Sequence, residues 1–363
     1  MSVHSHHLPD FGWSAFFEAH FQSYAESGYG VGRVALEQKH LYRVYTEGGD
    51  LLAEITGKMR YEAASRADLP AVGDWVVIRP RPEEGKATIH AVLPRKSKFT
   101  RKVAGQRTEE QIVGANIETV FLVTSLNQDY NPRRIERYLI VAWESGANPV
   151  IVLSKADLCD EVEEKVAEIQ AVAAGAPIHV VSVVRQEGLE ALAPYFQRGQ
   201  TVALLGSSGV GKSTLINHLL GHERQRVQEV REDDDRGRHT TTHRELILLP
   251  GGGLVLDTPG MRELQLWDAD DGLHQTFEEI EALAGRCYFS NCRHQSEPRC
   301  AVREALAEGT IDAARYHNYE KLQKELDHLA RKQDIGAQII EKKKWKKLSR
   351  LASQMAEMKR RGG

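Results

Sequence analysis

Apolar positions fall into two regimes along this chain. In the first quarter they form short runs broken by glycine, proline and polar turns: Gly32–Leu36, Leu41–Tyr45, Leu51–Ile55, Asp74–Ile78 and Ala87–Val92. Short strands at that spacing predict a small closed β-barrel. An oligonucleotide-binding (OB) barrel is expected, with an SH3-like barrel as the competing arrangement that propensity does not separate. Ahead of it, Trp13, Phe16, Phe17, Phe21 and Tyr24 recur at helical spacing and predict a short helix with one aromatic face, packed on a neighbouring domain.

From about residue 112 the pattern changes. All-apolar runs at Glu118–Thr124, Pro149–Leu153 and Ile178–Val181, and the run Thr201–Leu205, alternate with stretches of helical period. The helices are expected from Asn131-Pro132 to Trp143, over Asp160–Ala173 and, briefly, over Gly188–Ala193; Asn131 and Pro132 supply a cap and a first-turn proline. Buried strands between helices predict an α/β architecture with a mostly parallel sheet covered on both faces. Residues 227–242 are charged and aperiodic, Leu246–Leu249 and Leu254–Leu256 flank a Pro250–Gly253 turn, and beyond Gly272 the pattern is helical again. The implied segments are an extension 1–29, a barrel 30–97, a basic linker 98–111, an α/β domain 112–272, a helical domain 273–340 and a basic tail 341–363.

Charge sharpens this picture locally. The chain of 363 residues has a net charge of −3, but Arg95–Arg107 holds six Lys/Arg and no acid, and Glu341–Gly363 holds nine Lys/Arg. Such windows suit a phosphate backbone, so contact with RNA is expected. The tail also carries Leu348, Leu351, Met355 and Met358 at helical spacing, for which membrane adsorption is the weaker reading. No run is long and apolar enough for a membrane span, and no Lys or Arg precedes Arg33, unlike a secretory signal. A cytoplasmic protein without membrane partners, acting as a monomer, is expected.

The chemistry-bearing stretch is Gly206-Ser207-Ser208-Gly209-Val210-Gly211-Lys212-Ser213, followed by Thr214 and a helical pattern. Strand, glycine-rich loop and helix are the context a phosphate loop needs: backbone N–H groups turn onto a polyphosphate, Lys212 reaches the β- and γ-phosphates, and the Ser213 hydroxyl binds Mg²⁺. Asp257-Thr258-Pro259-Gly260 ends the later apolar strand; Asp257 would act on Mg²⁺ and the Gly260 N–H on the γ-phosphate. One of Thr240, Thr241 and Thr242, taken here as Thr241, would complete the Mg²⁺ shell. Ser154-Lys155-Ala156-Asp157 ends another apolar strand; the Asp157 carboxylate accepts from guanine N1 and N2, a donor pair adenine lacks, with the Lys155 stem along the base. Cys287, Cys292, His294 and Cys300 form C-x4-C-x-H-x5-C, three thiolates and an imidazole, a closed tetrahedral set for one structural Zn²⁺. The fourth cysteine, Cys159, is not expected to be a ligand.

The order of these motifs is unusual. The base-reading motif precedes the phosphate loop, so the nucleotide domain reads as circularly permuted. A permuted P-loop GTPase domain between an N-terminal barrel and a C-terminal Cys/His cluster resembles the RsgA family of small ribosomal subunit biogenesis GTPases. That resemblance covers roughly residues 30–335. It implies GTP hydrolysis to GDP and phosphate, stimulated by the 30S subunit, a role in late maturation of that subunit, and the subunit and its ribosomal RNA as partners. It also implies a hydrolytic role for His239, in the Gly237–Thr242 segment, because Met261 stands where a Ras-like protein has its water-orienting glutamine. Lys212 would supply positive charge to the transferring phosphoryl group. Two positions depart from the family pattern. Ser154 replaces the usual Asn, which predicts retained guanine selectivity but a lost contact to the loop, and Val181-Ser182-Val183 matches the later Ser-Ala motif only at Ser182. The alternatives are a P-loop ATPase, which leaves Ser154–Asp157 without a role, and a non-catalytic RNA-binding scaffold, for which Lys212 and Ser213 would be dispensable.

Overall fold

The computed structural model describes residues 6–38, 41–103, 109–127, 129–221, 244–257, 270–328 and 330–331. The chain enters through a 3₁₀ turn, Leu8–Phe11, and helix α1, Ala15–Ala25. The predicted aromatic face is real: Phe11, Phe17 and Phe21 are buried, and Trp13 stacks edge-on to Trp75 with centroids 4.7 Å apart. Phe16 is partly exposed, covered on one side by the Lys96 ammonium.

Strands β1 (Gly30–Gln38), β2 (Leu41–Thr46), β3 (Gly49–Ile55), β4 (Trp75–Arg81) and β5 (Lys86–Val92) follow, with α2 (Gly57–Glu62) between β3 and β4. Neighbour pairing runs β1-β2-β3-β5-β4 and closes β4 onto β1; β3–β5 is parallel and the rest antiparallel. This closed five-stranded barrel with one parallel pair is OB-like, which resolves the choice left open by propensity. Alternate residues fill it: Val34, Tyr42, Val44, Ala53, Val76, Ile78 and Ile89 form one core.

The stretch expected to be a plain basic linker is instead a hairpin, β6 (Lys98–Val103) with β7 (Glu109–Ala115). Its cations are also less free than their number implied. Arg95 is bound to the buried Asp74 through two hydrogen bonds of 2.7 Å and to the Ala67 and Leu69 carbonyls. Lys98 lies 3.3 Å from Glu110. Burial hidden beneath the charges explains the difference: Phe99, Ile112 and Val113 are buried.

The central domain contains β8 (Thr119–Ser125), α3 (Pro132–Ser145), β9 (Asn148–Ser154), α4 (Val162–Gln170), β10 (Ile178–Val180), a 3₁₀ helix Leu189–Phe196, β11 (Thr201–Leu205), α5 (Lys212–Leu220), β12 (Glu245–Leu248) and β13 (Leu254–Asp257). Strand order is β10-β9-β8-β11-β13-β12, parallel except for the β12–β13 hairpin. One face packs on α3, α4, the arm and the barrel; the other packs on α5 and the 3₁₀ helix. The barrel also joins the sheet edge, where β1 meets β12 at Leu36 and Glu245; Arg43 bonds to Glu245, and the Tyr45 hydroxyl donates to the Leu246 carbonyl at 2.9 Å.

Helices α6 (Asp270–Thr276), α7 (Glu278–Ala284) and α8 (Ala301–Ala307), with a helix over 313–328 (α9), form the C-terminal unit. The boundary expected at 272–273 falls inside α6. Its core includes Ile140 of α3, and Gly272 sits so close that a Cβ there would lie 2.4 Å from the Ile140 carbonyl oxygen. Among the described residues no helix is long and apolar enough to cross a membrane.

Candidate functional site

The glycine-rich loop connects β11 to α5 at the carboxyl ends of the parallel strands, beside β8. Ligands of open α/β sheets bind in this position. Gly206 is required sterically: a Cβ there would lie 2.2 Å from the Val123 carbonyl oxygen. Gly211 takes φ +97° as the N-cap of α5, a conformation that turns the preceding backbone toward the loop's mouth. The Lys212 ammonium donates to the Gly206 carbonyl at 2.7 Å and to that of Ser207, so it lies over the loop. Ser213 and Thr214 occupy the first turn of α5, half-buried. Ser208 and Gly209 are exposed, whereas Val210 is buried and anchors the loop to the core beneath it.

Asp257 ends β13, which runs parallel to β11 with Ala203 opposite Leu256. The Ser213 hydroxyl, in the first turn of the helix that follows β11, and the Asp257 carboxylate, at the end of the neighbouring strand, are hard oxygen donors of the kind that suits Mg²⁺. His239, Thr241 and Gly260 lie outside the described residues.

The 154–157 turn comes from β9, two strands away from β11 across β8. Ser154 is buried, and its hydroxyl bonds to the Val210 carbonyl at 2.6 Å and to that of Thr124 at 3.3 Å. The expectation that a serine here loses contact with the loop is therefore corrected: its hydroxyl, though on a short side chain, reaches the Val210 carbonyl. Lys155 adopts a left-handed φ of +57°, uncommon for a side-chain-bearing residue, and reverses the chain into a 3₁₀ turn that carries Asp157. Asp157 Oδ1 accepts from the Ser182 hydroxyl at 2.6 Å, and Ser182 Oγ in turn accepts from the Arg185 N–H at 3.1 Å. The loosely matching Val181–Val183 segment is thus positioned against Asp157, leaving Oδ2 and the remaining lone pair of Oδ1 for another donor pair.

One cluster has no counterpart in the sequence-based expectations. Arg134 in the first turn of α3 bonds to both Asp129 carboxylate oxygens at 2.8 Å and to the Ser207 hydroxyl of the loop. Cations in a first helical turn oppose the helix dipole. The Arg133-Arg134 pair after Asn131-Pro132 was therefore a readable signal that these side chains have partners. Two further residues of the same helix grip the C-terminal unit. Glu136, fully buried, accepts from Arg133, Arg315 and Asn318, and Arg137 pairs bidentately with Glu325 at 2.7 and 2.8 Å.

The Cys/His cluster closes as a group. Its four donor atoms lie within 4.8 Å of one another. Cys287 and Cys300 sulfurs are 3.8 Å apart, and His294 Nδ1 is 3.5 and 3.3 Å from them. Bonds of about 2.3 Å to sulfur and 2.0 Å to nitrogen in a tetrahedron require edges of roughly 3.5–3.8 Å, so the set fits zinc. Burial opposes ionisation of Cys287, but the Val302 and Ala301 N–H groups at the start of α8 outweigh it and lower its thiol below the usual range. Burial and the neighbouring thiols of Cys300 and Cys287 push Cys292 up to about 11. A bound divalent cation overrides that penalty by coordinating the thiolate. Cys159 lies outside the cluster, as expected.

Known proteins match this arrangement over nearly its whole length. A family model described as RsgA GTPase matches residues 92–267. A model of the ABC transporter family matches residues 189–358, a span that contains the phosphate loop but neither the 154–157 turn nor Ser182. The small ribosomal subunit biogenesis GTPase RsgA of Opitutus terrae is 50% identical over 350 residues, covering 94% of this chain and 95% of that protein. The crystal structure of YjeQ from Thermotoga maritima superposes with a TM-score of 0.62 at 30% identity, covering 82% of this chain and 98% of the other. YloQ, described as a circularly permuted GTPase, gives 0.60 at 26% identity, covering 83% and 96%.

Proposed function

The chain belongs to the RsgA family of circularly permuted GTPases, and from that premise we propose that it hydrolyses GTP to GDP and phosphate during late maturation of the 30S ribosomal subunit, stimulated by that subunit. The observation that carries this reading is the tie between the base-reading turn and the phosphate loop: Ser154 bonds to Val210, and Asp157 is aimed by Ser182. A purine held by Asp157 is thereby placed at a fixed distance from a triphosphate on Gly206–Ser213. An ATPase reading leaves that tie unexplained. A scaffold reading leaves the strained glycines and Lys212 unexplained.

In the nucleotide-bound state Lys212 moves from loop carbonyls to the β- and γ-phosphates, a short excursion for a flexible ammonium. Ser213, Asp257 and Thr241 would hold Mg²⁺, which would neutralise charge on the phosphate oxygens. The Gly260 N–H meets the γ-phosphate. His239 orients the attacking water when the subunit is bound. Cys287, Cys292, His294 and Cys300 hold one structural zinc, which stabilises a loop without a hydrophobic core of its own. The protein meets ribosomal RNA as a monomer in the cytoplasm, with no membrane step.

Hydrolysis of GTP and of ATP, each measured with and without purified 30S subunits, tests the reading. GTP turnover alone should rise with the subunit. Equal use of ATP, or no stimulation, overturns it.

A further inference from the structure

We propose that Tyr288 and Phe289 form a stacking platform for unpaired bases of RNA, carried on the loop that the Cys/His site shapes. The inference rests on the RNA-directed function proposed above and assigns it to a particular surface. The two rings are 65% and 40% exposed, adjacent in sequence, and in edge-to-face contact with centroids 4.9 Å apart. Isolated exposed apolar residues need no explanation, but consecutive aromatic rings on a loop without an apolar core do.

The charge around them identifies the occupant. Arg286, Arg293, Arg299 and Arg303 are all exposed, and none has an ion pair among the described residues. The Arg299 guanidinium lies over the Tyr288 ring at 5.2 Å. Arg299 is fixed there by a left-handed φ of +55° and by its carbonyl accepting from the Tyr288 N–H at 3.3 Å. The one carboxylate within residues 286–303 outside α8, Glu297, is turned inward. It accepts from the Arg293, Gln295 and Ser296 N–H groups, which hold it down at about 2. The segment thus shows solvent its cations and rings and spends its anion on its own backbone.

Planar rings interleaved with guanidinium groups match a polyanion that carries stackable bases. An acidic protein would use the cations but has no comparable use for two rings. Four ligands converging on one metal hold the loop rigid, so the rings are presented without an ordering cost on binding.

The test uses the full, zinc-loaded chain and a fluorescein-labelled mixed-sequence RNA decamer, single-stranded or annealed to its complement. Tyr288→Ala with Phe289→Ala should weaken single-strand binding about tenfold or more and duplex binding little. Tyr288→Phe should retain single-strand binding, because stacking does not need the hydroxyl. Zinc content and GDP affinity should be unchanged in all variants, which separates this surface from the nucleotide site. Unchanged single-strand affinity in the double alanine variant overturns the proposal. Weakened binding to 30S subunits with unchanged binding to the decamer overturns it too, since it assigns the rings to a ribosomal protein. Failure of GTP stimulation by 30S subunits in the unsubstituted protein bears on the proposed function instead.

Discussion

The Ser154 hydroxyl donates to the Val210 carbonyl at 2.6 Å, joining the 154–157 turn to the glycine-rich loop through a residue that follows it by 56 positions in the chain. In an unpermuted nucleotide domain the loop would come first. Here the sheet restores the neighbourhood that the order of the chain removes: β9 and β11 both flank β8 in parallel, so their carboxyl ends face the same side.

Replacing Ser154 with Ala leaves the Val210 carbonyl buried and unsatisfied. A loss of about 1–3 kcal/mol is expected. Chemical denaturation and titration with a fluorescent GDP analogue check this, with a several-fold loss of affinity alongside the stability change.

Glu136 is the anion beneath the C-terminal unit. Glu136→Gln removes one of the two carboxylates that pair with Arg315 and leaves Glu279, at a cost of about 1–3 kcal/mol. Thermal unfolding should show a destabilised C-terminal unit. Because the same helix carries Arg134 to Ser207, 30S-stimulated turnover should fall while basal GDP binding stays within about twofold.

Arg137 beside Glu325 holds that carboxyl below its usual range, against the opposing effect of burial. A carboxylate with a depressed folded value contributes stability that is present above the unfolded value, about 4.3, and is lost as pH falls through the folded one. Both side chains are about a third exposed, so the contribution is about 0.2–1 kcal/mol. Glu325→Gln should be less stable than the parent by that amount at pH 7, and the two melting points should converge on acidifying below about pH 4.

Removal of zinc should release the ligand loop. A chelator, or Cys292→Ser, should abolish stoichiometric metal, lower the unfolding temperature and open 287–300 to proteolysis, while the central domain still binds GDP.

What the sequence disclosed and what it concealed divide on physical lines. Gly206–Ser213, Ser154–Asp157 and the Cys/His set are local patterns whose spacing is itself the chemistry, and each was readable in place. The strands β6 and β7 were hidden because Lys98, Arg101 and Lys102 dominate a segment whose burial depends on Phe99 and on a partner strand. Arg95 looked like an RNA contact because its anion, Asp74, lies outside the window and is buried. Glu136 sits in an Arg-Arg-Ile-Glu-Arg string that resembles a solvated helix face, and only tertiary packing shows that it is buried. Ser182 matched its motif loosely, but one hydroxyl aimed at Asp157 suffices for the geometry.

The central claim is that Asp157 reads guanine beside a phosphate loop encountered later in the chain. Its most direct test is competition for a bound fluorescent GDP analogue by GTP, ATP and xanthosine triphosphate, in the parent and in Asp157→Asn. An amide has one acceptor oxygen where a carboxylate offers two, so it cannot pair side by side with guanine N1 and N2, but its NH₂ can donate to the xanthine 2-oxygen. The parent should select GTP over both competitors, and Asp157→Asn should lose about a hundredfold or more in GTP affinity while gaining affinity for xanthosine triphosphate. Equal competition by ATP in the parent, or an unchanged nucleotide preference in Asp157→Asn, would contradict the account.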